Sequence, residues 1–283
     1  MRLVIHGGTG YLGSKVVRVL AAEGNEVLCV TRSTSSKGKL HDLQAVQFCD
    51  LEELGGTLKS MPPFDCMVNL ACKYPRNSES DLDMFEANLF NPLKVFTRCL
   101  ENGVKKFVTI GTGLPADLNP YAQSKAKLAE IMKWYGVQRR LRGEPINICN
   151  IELENFYGED EPKDRFIPGT VERLKRNERI LLTAGTQMRD FVYVEDVLRA
   201  LINILSRDDL PEYVDLPLGS GEGVSIRDLI AYLKEILHSE SELCFGAVAS
   251  RINEPDSVAD KEKMHQYGIE IRYSWREGMK KFL

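Results

Sequence analysis

The chain lacks the features that announce metal, disulfide, membrane or nucleic-acid chemistry, and each shortage excludes something. Seven cysteines (29, 49, 66, 72, 99, 149 and 244) include no CxxC pair and sit mostly in apolar runs. That pattern favours reduced, buried thiols over disulfides or a zinc site. Four histidines (6, 41, 238 and 265) lie far apart and make no ligand pair, so no metal is expected. No apolar stretch reaches membrane-spanning length, and a strand-like run starts at residue 2, leaving no room for a signal peptide. A cytoplasmic protein with no membrane partner is expected. The net charge of −4 comes in short mixed runs, which gives no basic footprint for nucleic acid.

What is present is ordinary for a globular protein: 283 residues, 43% hydrophobic and 28% charged, enough to bury a sizeable core. Apolar runs of strand length (2–6, 26–31, 45–49, 66–71, 105–110 and 146–153) alternate with helical patterns at 11–23, about 52–60, about 80–102 and about 120–142. The runs are continuously apolar, which means that both sheet faces are covered. This predicts an α/β fold with a doubly wound parallel sheet. Loops are expected at 154–169 and 183–190 and helices near 194–206 and 225–238, with these later segments packing over the sheet's carboxyl edge.

Between the first strand and the first helix lies "HGGTGYLG" (6–13), in which Gly7, Gly10 and Gly13 are spaced GxxGxxG, while Gly8, Gly10 and Gly13 read GxGxxG. Such glycines allow a tight turn, close backbone approach to a pyrophosphate and close helix packing, and the helix start supplies free N–H donors. Gly7, Thr9, Gly10, Tyr11, Leu12 and Gly13 are therefore candidate dinucleotide contacts; the bland alternative is a turn with no ligand. NAD-selective loops carry an acidic residue about 20 positions later. Here the second strand ends "VTRSTSSKGK", offering Arg32, Ser33, Thr34 and Lys37 and no carboxylate. Arginine and hydroxyls suit a 2′-phosphate, so NADP(H) is expected over NAD(H). Asp50, followed by Leu51 after the third strand, is either an acceptor for the adenine amino group or a helix N-cap.

The stretch "GTGLPADLNPYAQSK" (111–125) follows the fifth strand, at the carboxyl edge where such sheets bind ligands. Its Tyr121-x-x-x-Lys125 step is not evidence by itself, since ten tyrosines give about one such pair by chance, and Tyr11 with Lys15 repeats the spacing. Placement separates them: Tyr11 and Lys15 belong to the glycine loop and its helix. Asn119 and Pro120 read as N-cap and first helical residue, which puts Tyr121 and Lys125 one turn apart on one face. An ammonium beside a phenol is expected to lower its pKa from near 10 toward useful acid–base chemistry.

Taken together, "GGTGYLG", "NLAC", "GTG…YAQSK", "NFYG" and "RDFVYVEDV" resemble the extended short-chain dehydrogenase/reductase family in its nucleotide-sugar branch, over about residues 1–240. The resemblance implies a Rossmann-type doubly wound parallel sheet with a smaller C-terminal substrate-binding region: a cofactor domain at 1–153, and 154–283 mostly substrate-binding, with about 187–210 packing back on the sheet. It implies Tyr121 as acid/base, Lys125 as its electrostatic partner and ribose contact, and Thr112 as the triad hydroxyl. Leu70 and Ala71 match the cofactor wall after the fourth strand, and Asn88 a supporting asparagine. Asn155 in "IELENFYG" and Arg189 in "MRDFVYVEDV" match contacts to a nucleotide-diphosphate sugar, with Asp196 starting a docking helix. A turn-forming Asn155 and a surface Arg189–Asp190 ion pair are the structural alternatives. The family likeness also implies a homodimer through helices near 80–102 and 120–142, an interface pattern that a core stripe would mimic. "GSGEGVSIRDL" (219–229) reads as a loop with Ser225 capping a helix, not as a nucleophile site.

Departures from the family pattern narrow the reaction. "TGLPA" replaces the Asp-Glu pair that 4,6-dehydratases carry after the triad hydroxyl, and Tyr121 follows Thr112 by only nine positions, where epimerases have a longer insertion. The fifth strand ends Ile-Gly-Thr where the family often has serines. The short architecture and the NADP expectation resemble the small CDP-abequose/CDP-paratose synthase type, which reduces the C4 ketone of a nucleotide-linked deoxysugar. A 4-epimerase with tightly bound NAD and a non-catalytic NADP-binding regulator are the alternatives.

Overall fold

A computed structural model describes residues 1–32, 38–74, 80–249 and 255–283. The chain forms two compact units, Met1–Glu152 with Leu201–Leu216, and Leu153–Ala200 with Pro217–Leu283. The first runs β1 (Arg2–His6), α1 (Tyr11–Ala22), β2 (Glu26–Thr31), β3 (Val46–Asp50), α2 (Leu54–Ser60), β4 (Cys66–Asn69), α3 (Asp81–Phe85), a π-helical turn (Glu86–Phe90), α4 (Asn91–Glu101), β5 (Lys106–Ile110), α5 (Pro120–Leu141) and β6 (Asn147–Leu153). Strands β1 to β6 pair in parallel. Their order is β6-β5-β4-β1-β2-β3, so the winding reverses between β1 and β4, the expected doubly wound sheet. Val4, Leu28, Val30, Met67, Phe107 and Ile148 from the strands pack with Phe96, Leu128 and Met132 from the helices. Burying each such side chain stabilises the fold by about 1.5–3 kcal/mol.

The helix expected at 80–102 is broken by its π turn for a covalent reason. Pro92 has no N–H to give the carbonyl of Asn88, so the ladder has to slip there. Asn88, within this turn, is fully buried. Burial pushes the Cys29, Cys66 and Cys149 thiols up to about 12, as inert core residues; Cys72 departs from the expectation by being exposed.

The second unit holds β7 (Asn155–Tyr157), α6 (Phe166–Lys175), β8 (Ile180–Leu182), β9 (Met188–Tyr193) and the start of α7 (Val194–Ser206). After β10 (Tyr213–Leu218), which joins the large sheet beside β6, come β11 (Gly223–Ser225), α8 (Ile226–Ile236), β12 (Leu243–Phe245), α9 (Lys261–Gln266) and α10 (Trp275–Phe282). Two small sheets form, β11-β9-β7 and β12-β8; of these elements β7, the first residues of β9, β11 and the start of α6 at Phe166 stand where loops are expected. Three-residue strands are too short to show a period. Ser225 caps α8 by accepting from the Asp228 N–H at 3.0 Å.

Asp190 organises this unit. Fully buried, it accepts from Ser220 N (2.7 Å), Ser220 Oγ (2.6 Å), Gly221 N (2.8 Å) and Ala259 N (3.2 Å). Asp190→Asn would turn an amide N–H₂ against one of these donors. It is expected to lower stability by about 2–4 kcal/mol in urea unfolding; a change within error would remove Asp190 from this role.

Candidate active site

The glycine loop is built by collisions that any side chain would cause. Gly7 has φ +84°, and a Cβ there would lie 2.4 Å from Ala71 N; one on Gly13 would lie 2.1 Å from the Gly7 carbonyl. Gly10 differs, since its Cβ would meet only the Gly7 carbonyl, at 3.3 Å. It is the N-cap of α1, with no side chain capping the helix and no acidic residue in the first turn. An open glycine before an uncapped helix start fits the phosphates of a dinucleotide. Lys15 lies over the Tyr11 ring, 5.4 Å from its centroid, so the duplicate Tyr-x-x-x-Lys step is a packing pair.

Arg32 is exposed at the end of β2, and Ser33, with residues 34–37, lies outside the described residues. Asp50 does not act as N-cap of α2; its Oδ1 takes the Glu52 N–H at 3.0 Å. Leu51 N bonds the Thr31 carbonyl at 3.1 Å, and Leu70 N bonds the His6 carbonyl at 2.8 Å. Leu70 and Ala71 follow β4, which is shorter than expected.

A row of polar side chains crosses the carboxyl ends of four strands. His6, Asn69, Thr109 and Asn150 are successive register partners. Asn69 Oδ1 pairs with His6 Nδ1 at 3.0 Å, and Asn69 Nδ2 donates to Thr109 Oγ1 at 3.0 Å. Burial, aided by the nearby charges of Lys125 and Arg32, lowers the His6 pKa to about 4 against the opposing hydrogen bond from Asn69. Asn150 donates to Asp215 at 2.8 Å and turns its buried, unpaired Oδ1 toward Gly111. A Cβ on Gly111 would lie 2.5 Å from that oxygen, so a side chain there would require the Asn150 amide to move.

Asn119 accepts from Ala122 N at 2.9 Å and caps α5, with Pro120 in its first turn as expected. Lys125, 2% exposed, reaches back to the carbonyls of Ala71 (3.0 Å) and Ile110 (2.8 Å). Tyr121 is buried, and the Tyr74 ring packs on it at 4.5 Å between centroids. The expected lowering of the Tyr121 pKa is reversed. Burial, then Cys72 and Tyr74, push the phenol well above its ordinary value, while Thr112 alone opposes them. The Lys125 ammonium is spent on backbone carbonyls, and burial lowers its own pKa.

A sequence profile of the NAD dependent epimerase/dehydratase family matches residues 3–216. The chain belongs to this family. It is 28% identical over 295 residues to CDP-abequose synthase of Salmonella typhimurium, covering 99% of this chain and 97% of that protein. Its fold is similar to UDP-glucose 4-epimerase from Thermotoga maritima, solved with UDP-glucose, at TM-score 0.85 and 23% identity, covering 100% of this chain and 97% of the other. It is also similar to DesIV, a dTDP-glucose 4,6-dehydratase from Streptomyces venezuelae with NAD and TYD bound, at TM-score 0.83 and 21% identity, covering 100% and 95%. As a member of the epimerase/dehydratase family it is a nicotinamide-dinucleotide enzyme of the short-chain dehydrogenase/reductase type.

The remaining candidates of this family member lie in the second unit. Asn155 is exposed, and its Nδ2 donates to the Asp190 carbonyl at 3.3 Å. Arg189 is 7% exposed and gives Nη1 to the carbonyls of Met188 (2.8 Å) and Pro255 (2.5 Å). The surface ion pair between Arg189 and Asp190 is thereby excluded. Asp196, fully buried in the first turn of α7, accepts from Arg272 N (3.0 Å) and Tyr273 N (3.1 Å). The reading of the sequence missed Cys72, Tyr74 and the polar strand row; the segment "NLACKY" carried a signal only in its polar and aromatic residues beside a strand end.

A base held below its unfolded value adds stability that is present above pH 6.5 and lost as pH falls toward 4. For His6 the difference is on the order of 3 kcal/mol. Urea unfolding at pH 7 and pH 4 should show that loss in the wild type. His6→Gln, which keeps a donor for Asn69, should lose correspondingly less; equal losses in both would exclude His6 as the source.

Proposed function

We propose that this chain reduces the 4-keto group of a nucleotide-diphosphate-linked deoxysugar with NADPH, Tyr121 being the proton donor. The observation that carries the reading is the burial of Tyr121, which raises its pKa and so favours the phenol over the phenolate. A reductase needs an acid at this position when the substrate arrives, whereas an epimerase must first use the same tyrosine as a base. The end-to-end likeness to CDP-abequose synthase supports the same direction, as do the absent Asp-Glu pair and the short step from Thr112 to Tyr121.

In this reading the loop from Gly7 to Gly13 holds the pyrophosphate, Arg32 and Ser33 the 2′-phosphate, and Asp50 and Leu51 flank the adenine. Leu70 and Ala71 form the wall of the cofactor site. Lys125 has three N–H donors; two go to Ala71 and Ile110, and the third would serve a ribose hydroxyl. When bound, the dihydronicotinamide supplies the hydride for the carbonyl carbon. Thr112 fixes the substrate oxygen, and Tyr121 gives that oxygen its proton. Asn155 and Arg189 meet the sugar diphosphate, for which a guanidinium is suited by its paired donors. The enzyme works in the cytoplasm, consistent with seven free thiols and no described helix long and apolar enough to cross a membrane. It is a homodimer through the helices that leave Leu82, Phe90, Trp134, Val137 and Leu141 exposed.

The test is NADPH consumption with CDP-, dTDP-, UDP- and GDP-linked 4-keto-6-deoxysugars, followed by identification of the product. Tyr121→Phe should lower kcat/KM about 10²–10⁴-fold, and Arg32→Ala should raise KM for NADPH about 10- to 100-fold with little change for NADH. Tightly bound NAD at purification, with sugars interconverted and no NADPH consumed, would make the protein an epimerase. Silence with all four sugars would favour a cofactor-binding regulator. For the dimer, sedimentation velocity should give a two-chain species that Trp134→Glu converts to one chain; a monomeric wild type would refute it.

A further inference from the structure

The polar row at the carboxyl edge has one hub. Asn69, 1% exposed, closes β4, and both ends of its amide are used: Oδ1 meets His6 Nδ1 (3.0 Å) and Ala71 N (3.3 Å), and Nδ2 donates to Thr109 Oγ1 (3.0 Å). A backbone N–H can only donate, so Ala71 fixes which end of the amide is the oxygen, and His6 then carries its proton on Nδ1. One side chain thus ties together the last residue of β1, a residue of β5 and the backbone just past β4. Ala71 is held a second time, since its carbonyl accepts from Lys125 Nζ at 3.0 Å. Two residues further on, the Asn88 amide accepts from Lys73 N and donates to the Lys73 carbonyl, both at 2.8 Å. The segment that carries the Lys125 acceptor is therefore fixed at either end. Lys125 itself has a flexible stem and three rotatable donors, so the direction of its ammonium depends on where its acceptors stand.

Resting on the cofactor reading, we propose that Asn69 is a positioning residue for Lys125. It sets the Ala71 carbonyl; that carbonyl and the one of Ile110 aim the ammonium, and the third donor is thereby brought to the ribose of the nicotinamide half. The same Asn69 oxygen also receives His6, which precedes the glycine loop. A loss that travelled by that second route would reach the phosphates and the adenosine, so the two halves of the cofactor tell the routes apart.

The full-length protein is titrated calorimetrically, without any sugar, with NADPH and with adenosine 2′,5′-bisphosphate, which has the adenosine and its phosphates but no nicotinamide ribose. Asn69→Leu and Asn69→Ala both take the acceptor from Ala71 N, and either one that folds gives the result. Each should weaken NADPH binding about 3- to 10-fold and leave that of the bisphosphate within about twofold. Asn69→Asp keeps an oxygen for the N–H two residues on, and should keep the wild-type ratio of the two affinities. In a Lys125→Met background, where there is no ammonium to aim, Asn69→Leu should change NADPH affinity by less than about twofold. Equal weakening of both ligands assigns Asn69 to the sheet alone and overturns the proposal. So does an undiminished further loss in the Lys125→Met background. A wild type that binds NADH and not NADPH removes the NADP reading, and the same outcomes, measured with NADH and ADP, then decide the role of Asn69. The expected ratios in a protein that reduces none of the sugars sink the reductase reading and leave Asn69 as the residue that aims Lys125.

Discussion

An ammonium group closed off from water must be met by the protein, because an unpartnered one costs several kcal/mol. Lys125 is in that position, and the carbonyls of Ala71 and Ile110 meet it. Those two carbonyls belong to the chain just beyond β4 and to the last residue of β5, so a single side chain of α5 ties the helix to the ends of two neighbouring strands. One turn earlier on the same helix, Tyr121 then has a single address, beside Thr112 and under Tyr74. The buried charge thus sets the register of the whole candidate site, and the segment from Asn69 to Tyr74 inherits its rigidity from the same anchor together with Asn88.

The same edge shows how a departure from a family pattern is compensated locally. Gly111 has no side chain, and the amide of Asn150 from the next strand fills the space one would take. This arrangement leaves the Asn150 oxygen buried and unpaired while its nitrogen serves Asp215. A side chain at position 111 would require the Asn150 amide to shift. The polar row from His6 to Asn150 follows from parallel pairing, which sets residues of four distant segments side by side at the end of the sheet where ligands bind.

Much of the fold was legible in the sequence. The six β-strands, the glycine turn and the start of α5 at Pro120 follow from apolar continuity and capping chemistry within a few residues. The π turn was not, because Pro92 reads equally as a helix start; nor were β7, β8 and β9, whose pairing depends on partners far along the chain. Asp190 read as half of a surface ion pair, since nothing adjacent in sequence reveals donors supplied by residues 220, 221 and 259. In the site, Thr112, Tyr121 and Lys125 were recognisable as a set, while Cys72 looked like one more apolar-run thiol.

By itself the sequence determined the sheet, the loop that receives a dinucleotide and the helix face that carries Tyr121 and Lys125, because those follow from spacing and from the conformational limits of glycine and proline. Only the tertiary structure decided what the groups at that face are disposed to do. The ammonium expected to draw a proton off Tyr121 is turned to the backbone, and burial holds that proton on the phenol. Desolvation depends on everything packed around a group, and no local stretch of sequence contains it.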